Sequence, residues 1–278
     1  MRIRFPGGVN RCLTISYDDG VEQDRRLISL MKQYGIAGTF NLDSGLFSPE
    51  GTVHPEGKIH RRMTESQCKE LYGNEPLIEV ATHGFAHIPP DELIGIQQVN
   101  EIMDDRKKLE QMFGKIVRGN AYAHGRVGEN TVQILRDCGI VYARTIRSTK
   151  GFNMPQNWLM LEPTCHHNDP QLMELAGKFL RRSTTGPLSM FYLWGHSYEF
   201  EEKNNWEVIE NFFKLVSGDK GTWFATNIQI YEYMEAAKQL RFSADGRMIY
   251  NPTQITIWYV EKGENHSIEP GATVCLDQ

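Results

Sequence analysis

Seven times in residues 1–240, a short run of β-forming side chains gives way to a stretch with helical spacing, and this alternation constrains the fold more than any other feature. The strand-like runs are residues 12–17, 37–42, 77–81, 115–119, 140–145, 188–193 and 222–225. Helices are predicted at 22–34, 64–72, 91–113, 129–138, 171–181, 206–216 and 228–239. Gly35 and Gly139 stop two of them, and Thr64-Glu65-Ser66-Gln67 has the spacing of a capping box. Asp91 is expected to cap the long third helix, which Gly95 interrupts. Strands alternating with helices form parallel βαβ units, with a sheet covered on both faces. Seven units predict an α/β fold: a distorted (β/α)7 barrel, similar in plan to a TIM barrel. Past residue 240 the texture changes. Residues 254–276 alternate with period two around Gly263 and Gly271, so 241–278 is expected to be a β appendage packed on the barrel of residues 1–240. About 35 residues are too few for a core of their own.

In parallel α/β folds, functional side chains gather where strands end. After the first predicted strand stand Asp18 and Asp19, after the third His83 and His87, after the fourth His124, at the end of the fifth Arg144, and after the sixth His196. Four of the nine histidines thus fall at three strand ends. Adjacent carboxylates disfavour each other's ionisation, a cost best tolerated beside a cation or where one acts as a base. Asp-Asp-Gly is also ordinary turn chemistry. His83 and His87 are four apart, which on a helical turn aims both imidazoles to one side. With one carboxylate they make three ligands and leave positions open for water and substrate.

These stretches, Thr14-Ile15-Ser16-Tyr17-Asp18-Asp19-Gly20, His83-Gly84-Phe85-Ala86-His87, Ala121-Tyr122-Ala123-His124-Gly125 and Leu193-Trp194-Gly195-His196, resemble the motifs of the polysaccharide deacetylases, carbohydrate esterase family 4. The resemblance spans about residues 13–225 and implies a distorted (β/α) barrel. It implies a metal-dependent hydrolase removing an N- or O-acetyl group from an amino sugar or acetylated saccharide. By resemblance, Asp18 is the general base and His196 the general acid. Asp19, His83 and His87 hold a divalent metal, zinc first, with cobalt, nickel or manganese also used in the family. The backbone N–H of His124 supports the oxyanion, with Tyr122, Arg144 and Trp194 beside the substrate.

The departures are specific. Gly84 replaces a serine or threonine, and Ala121 and Ala123 stand where the family has arginine and proline. Arg118 and Arg144 are candidates for the lost arginine, Arg144 being better placed. The fourth motif, a carboxylate partner for the acid histidine, has no counterpart. His166 and His167 are expected in a solvated loop or as support for His196. His54 and His60 are expected as exposed loop residues, and Glu199, Glu201 and Glu202 as a solvated helix start. Trp194 suits either a sugar face or the barrel core. Two rivals remain: a hydrolase of this fold acting on a cyclic ureide or imide, and an inactive saccharide-binding barrel.

A net charge of −5 gives no basic surplus for nucleic acid, and no run of about 20 apolar residues could span a membrane. Five scattered cysteines without a C-x-x-C pair argue against a disulfide framework or zinc knot. Together with a start lacking a signal-like apolar run, they lead to the expectation of a cytoplasmic protein. No partner chain is implied.

Overall fold

The computed structural model describes residues 1–276. Its elements, in chain order, are β1 (Arg2–Arg4), β2 (Arg11–Asp18), α1 (Asp24–Tyr34), β3 (Gly38–Leu42), α2 (Glu65–Gly73), β4 (Ile78–Thr82), α3 (Gly95–Phe113), β5 (Gly119–Ala121), α4 (Thr131–Asp137) and β6 (Tyr142–Arg144). There follow β7 (Cys165–His166), α5 (Leu172–Leu180), β8 (Ser189–Gly195), α6 (Tyr198–Glu202), α7 (Glu207–Val216), β9 (Thr222–Phe224) and α8 (Asn227–Lys238). The last strands are β10 (Arg241–Phe242), β11 (Met248–Tyr250), β12 (Ile257–Glu261), β13 (Glu264–Ile268) and β14 (Thr273–Cys275).

The central sheet is parallel throughout, in the order β6-β5-β4-β3-β2-β8-β7. On one side β2 pairs with β8. On the other it pairs with β9 through Arg11–Leu13 and with β3 from Ile15 onward. The sheet curls because both of its edges meet one connecting segment: Leu161 bridges Arg144 of β6, and a few residues on the same chain becomes β7 beside β8. This is the expected α/β fold, a distorted (β/α) barrel.

Strand alternation sorts the side chains of β2. Leu13, Ile15 and Tyr17 join the buried cluster formed with helices α1, α5 and α7, including Leu27, Met31, Phe179 and Phe213. Thr14, Ser16 and Asp18 point the other way, into a polar interior where Thr14 donates to Asn227 (2.9 Å) and Asn41 donates to Ser16 and Asp18 (2.7 Å each). The site therefore stands on a hydrogen-bonded floor.

Several boundaries differ from the sequence reading. The capping box at Thr64 forms as expected, but α3 starts at Gly95 with Ile94 as its N-cap, and Asp91 lies in a separate single turn. The strand expected at 115–119 forms at its far end, as Gly119–Ala121. The strands β1, at the N-terminus, and β7, within the long loop, were not foreseen, and the helix start expected at Glu199 is a separate short helix, α6, directly after His196. Past α8 the chain makes two three-stranded sheets, β10-β11-β14 and β1-β12-β13. The second recruits the N-terminal strand, and Ile249, Ile257, Tyr259 and Ile268 share a buried cluster with Phe5 and Tyr233. The final two positions of the expected appendage, 277 and 278, lie outside the described residues. Among the described residues no helix is long and apolar enough to cross a membrane.

Candidate active site

The end of β2 places Asp18 and Asp19 at the mouth of the barrel, both buried. Asp18 accepts from Asn41 Nδ2 on Oδ1 (2.7 Å) and from Arg144 Nη2 on Oδ2 (2.5 Å). The same Oδ2 lies 3.7 Å from His83 Nε2 and 3.7 Å from His196 Nε2. Burial alone would raise the Asp18 carboxyl, but Arg144, His83 and His196 outweigh it and hold it below the usual range. Arg144 therefore stands where the sequence expected a replacement arginine. Arg118 instead pairs with Glu232 on an exposed surface (3.3 Å).

Asp19 sits at a φ of +83°, which turns its side chain toward the second histidine motif. That motif is a loop and not the helical turn expected from the i, i+4 spacing. Positive φ at Gly84 (+90°) and His87 (+56°) folds it back on itself. From α3, Asp105 accepts the N–H groups of Ser44 (2.8 Å), His83 (3.0 Å) and Gly84 (3.1 Å). One turn further toward the start of α3, Glu101 accepts those of Ala86 (2.7 Å) and Ile88 (3.2 Å). Gly84 fits this packing: a Cβ there would meet Glu101 Oε1 at 3.1 Å.

Held in this way, His83 Nε2 and His87 Nε2 stand 3.1 Å apart, and with Asp19 they form a set of ligand atoms within 4.8 Å of one another. His83 Nδ1 lies 2.9 Å from the Ala121 carbonyl, which can only accept. The Nδ1 therefore carries the proton and Nε2 keeps its lone pair toward the site. Burial, then the neighbouring His83, pushes His87 down to about 3, and burial lowers His83 as well, so both are neutral as ligation requires. Two nitrogens each about 2.0–2.1 Å from a tetrahedral zinc are roughly 3.4 Å apart. The donor set and its spacing fit a divalent ion.

On the other side of Asp18, His196 Nδ1 donates to Glu199 Oε1 (2.7 Å), which turns Nε2 toward Asp18. Glu199 is a hub. His166 Nε2 lies 3.3 Å from Oε1 and His167 Nε2 3.6 Å from Oε2, Lys203 approaches at 3.4 Å, and Asn168 donates to Oε2. Burial opposes its ionisation, but the three histidines hold Glu199 well below the carboxylate range. Despite burial, Glu199, Asp18 and Asp19 raise His196 above its ordinary value. The expectation of a solvated helix start is thus corrected for Glu199, which is the carboxylate partner of His196. His166 and His167 are not loop surface either. His167 is fully buried, 4.1 Å from Phe200 and 5.6 Å from Tyr17 between ring centroids, and a Cβ on Gly195 would strike it. The atoms of His166, His196 and Glu199 also lie close enough to suggest an ion. However, Asn168 N–H donates to His166 Nδ1 (3.1 Å), so Nε2 carries the proton and faces Glu199 at 3.3 Å, while His196 Nδ1 donates to the same carboxylate. That is a hydrogen-bonded cluster.

The remaining expected residues divide. Trp194 lies under the Arg144 guanidinium, 4.5 Å from carbon to ring centroid, with His166 edge-on at 4.6 Å. His124 is exposed at φ +55°, its ring 4.5 Å from that of His87. Tyr122 is buried and gives its hydroxyl to the Leu159 carbonyl (2.6 Å), so that group is not offered to a substrate. His54 points into its own loop, at the Arg62 carbonyl (2.9 Å). His60 does reach the site, with Nε2 2.9 Å from Asp19 Oδ2. Nothing in its spacing could have signalled this.

The sequence pattern of the polysaccharide deacetylases matches residues 8–143. No curated protein matches the chain. Among solved structures, it is similar to a Mycobacterium smegmatis protein assigned to the polysaccharide deacetylases, at 15% identity and TM-score 0.58, covering 85% of this chain and 94% of that one. It is similar to an allantoinase at 13% identity and TM-score 0.59, covering 82% and 91%. It is also similar to a family 4 acetyl xylan esterase from Clostridium thermocellum in complex with a cobalt ion, at 11% identity and TM-score 0.52, covering 80% and 90%. Of three further matched deacetylase structures the chain spans 61%, 44% and 44% of their length.

Proposed function

The chain belongs to the polysaccharide deacetylase family through residues 8–143, and on that premise we propose that it is a metal-dependent hydrolase removing an acetyl group from an acetylated amino sugar or saccharide. The observation that carries this reading is the convergence of His83 and His87 Nε2 (3.1 Å) beside Asp19, with an Asp18 held ionised next to a protonatable His196.

Asp19, His83 and His87 would hold the ion, zinc being the first choice for one carboxylate and two imidazoles. When bound, the ion supplies Lewis acidity, polarising the acyl carbonyl and lowering the pKa of water in the site. Asp18, fixed by Asn41 and Arg144, takes the proton of the attacking water on Oδ2. The N–H of His124 supports the oxyanion as the carbonyl becomes tetrahedral. His196, protonated and oriented by Glu199, gives its Nε2 proton to the leaving nitrogen or oxygen. Trp194, backed by Arg144, offers an apolar ring edge to the C–H groups of a sugar.

The fold shared with an allantoinase keeps hydrolysis of a cyclic ureide as the second reading, and the intact Asp-His-His set favours the saccharide. Acetate release from a panel of N- and O-acetylated oligosaccharides, with allantoin as a parallel substrate, separates them. We expect release by the zinc-loaded protein, loss with chelator and recovery on adding metal. Asp18→Asn should lower the rate by roughly 10²–10⁴. Turnover of allantoin alone supports the second reading, and no turnover of any substrate by metal-loaded protein contradicts both.

A further inference from the structure

The long loop between β3 and α2 ends in a strap, residues 59–63, that no motif explains. It runs antiparallel along the turn after Asp19: Met63 N–H donates to the Gly20 carbonyl (2.9 Å), Arg62 bridges Val21, and Glu22 N–H donates to the Arg61 carbonyl (2.8 Å). Two strap side chains clamp Asp19. Arg62 Nη1 donates to its backbone oxygen (2.9 Å) and also pairs with the buried Asp43, while Nη2 stays 3.5 Å from Oδ1. His60 Nε2 lies 2.9 Å from Oδ2, and since an ionised carboxylate only accepts, that nitrogen carries the proton.

The strap is also fastened outward, to α6. Arg61 donates to both oxygens of Glu201 (2.7 and 2.8 Å), Gln23 joins Glu201 (2.8 Å) to the Ile59 carbonyl (2.7 Å), and the His60 ring stands edge-on to Tyr198 at 4.8 Å. His60 is thus held from three directions, with its N–H aimed at one oxygen of Asp19.

We propose that His60 is a positioning residue for the divalent ion. By donating to Asp19 Oδ2 it fixes the plane of the carboxylate and leaves Oδ1, met by Arg62 only at 3.5 Å, to serve the ion with His83 and His87. Hydrogen-bond partners of ligating groups act in this way, and losing one costs roughly 10–100-fold in metal affinity. This inference rests on reading Asp19, His83 and His87 as the ion's ligands.

The test is zinc affinity of the full chain, read by competition with a chromogenic chelator and free of any assumption about substrate. His60→Ala should weaken zinc binding about 10–100-fold. His60→Gln, which restores an N–H at a similar reach, should recover to within a few-fold of the unaltered protein. His54→Ala, in the same loop but not touching Asp19, should leave affinity within about twofold. Thermal melts of all variants separate lost folding from lost binding. An unchanged affinity in His60→Ala, or equal losses in the Ala and Gln variants with intact melts, overturns the inference alone. Failure of the metal reading would show elsewhere: the unaltered protein would bind no zinc, or His83→Ala would bind it as well as the unaltered protein.

Discussion

In the proposed reaction His196 is the acid, and the carboxylate bonded to it is Glu199. Its bond to Nδ1 is first among the influences that raise the histidine against burial, followed by the charges of Asp18, Asp19 and Glu199 itself. An acid catalyst works while protonated, so activity is lost as pH rises through the His196 pKa. In Glu199→Gln the charge is gone and the bond to Nδ1 is weaker, the pKa falls, and the basic limb of the kcat profile should move to lower pH. An unmoved limb would remove Glu199 from the account. Asp18, Asp19, His83, His87, Arg144 and His196 were legible in the sequence because their types sit just after strand-forming runs. Glu199 and Asp105 were not. An acidic residue three positions past His196, among Glu201 and Glu202, has the composition of a solvated surface, and only the fold shows that α6 turns it inward. Asp105 lies on a helix amid charged neighbours, and nothing local says that it faces a loop.

At the scale of elements, the second histidine motif shows how a correct pair can be reached through a wrong element. Spacing alone assigned His83 and His87 to a helical turn, yet α3 supplies the order through Asp105 and Glu101 on one of its faces. Asp105→Ala would strand three backbone N–H groups in a buried place. Urea unfolding should show a loss of about 3 kcal/mol or more, with weaker zinc binding in the fraction that stays folded. Asp105→Asn, which keeps an acceptor oxygen, should lose less. Equal stability of Asp105→Ala and the unaltered protein would contradict the clamp. The long strands and capped helices were read within a few residues because their patterns are local. β7 escaped because two residues carry no period, and it exists only through its pairing with β8.

Across the whole molecule, the barrel encloses polar groups from mouth to base, and the base is closed by Glu79. This half-buried residue accepts from Thr39 (2.8 Å), Tyr142 (2.5 Å) and the Ile228 N–H at the start of α8 (2.9 Å). Desolvation of its carboxyl outweighs these bonds and raises it to about 7. The unfolded chain releases that proton near pH 4.3. Between those values the folded state holds a proton the unfolded state has shed, so this contribution to stability is full below about pH 4.3 and declines as pH rises toward 7. Relative to Glu79→Gln, the unaltered protein should lose on the order of 2 kcal/mol between pH 4.5 and 7 in urea titrations. Parallel profiles would count against it. At this scale the repeat of strand and helix was enough to foresee a parallel barrel. The polar interior was not foreseeable, since alternation in a strand does not say which face looks inward.

The central claim is that Asp19, His83 and His87 gather one divalent ion beside an Asp18 that remains free. A zinc-edge anomalous difference map from crystals grown with zinc tests it most directly. The account predicts a single strong peak about 2.0–2.2 Å from an Asp19 oxygen and from Nε2 of both histidines, with no protein ligand from Asp18. A peak among His166, His196 and Glu199 instead, or none near Asp19 in zinc-saturated crystals, would contradict it.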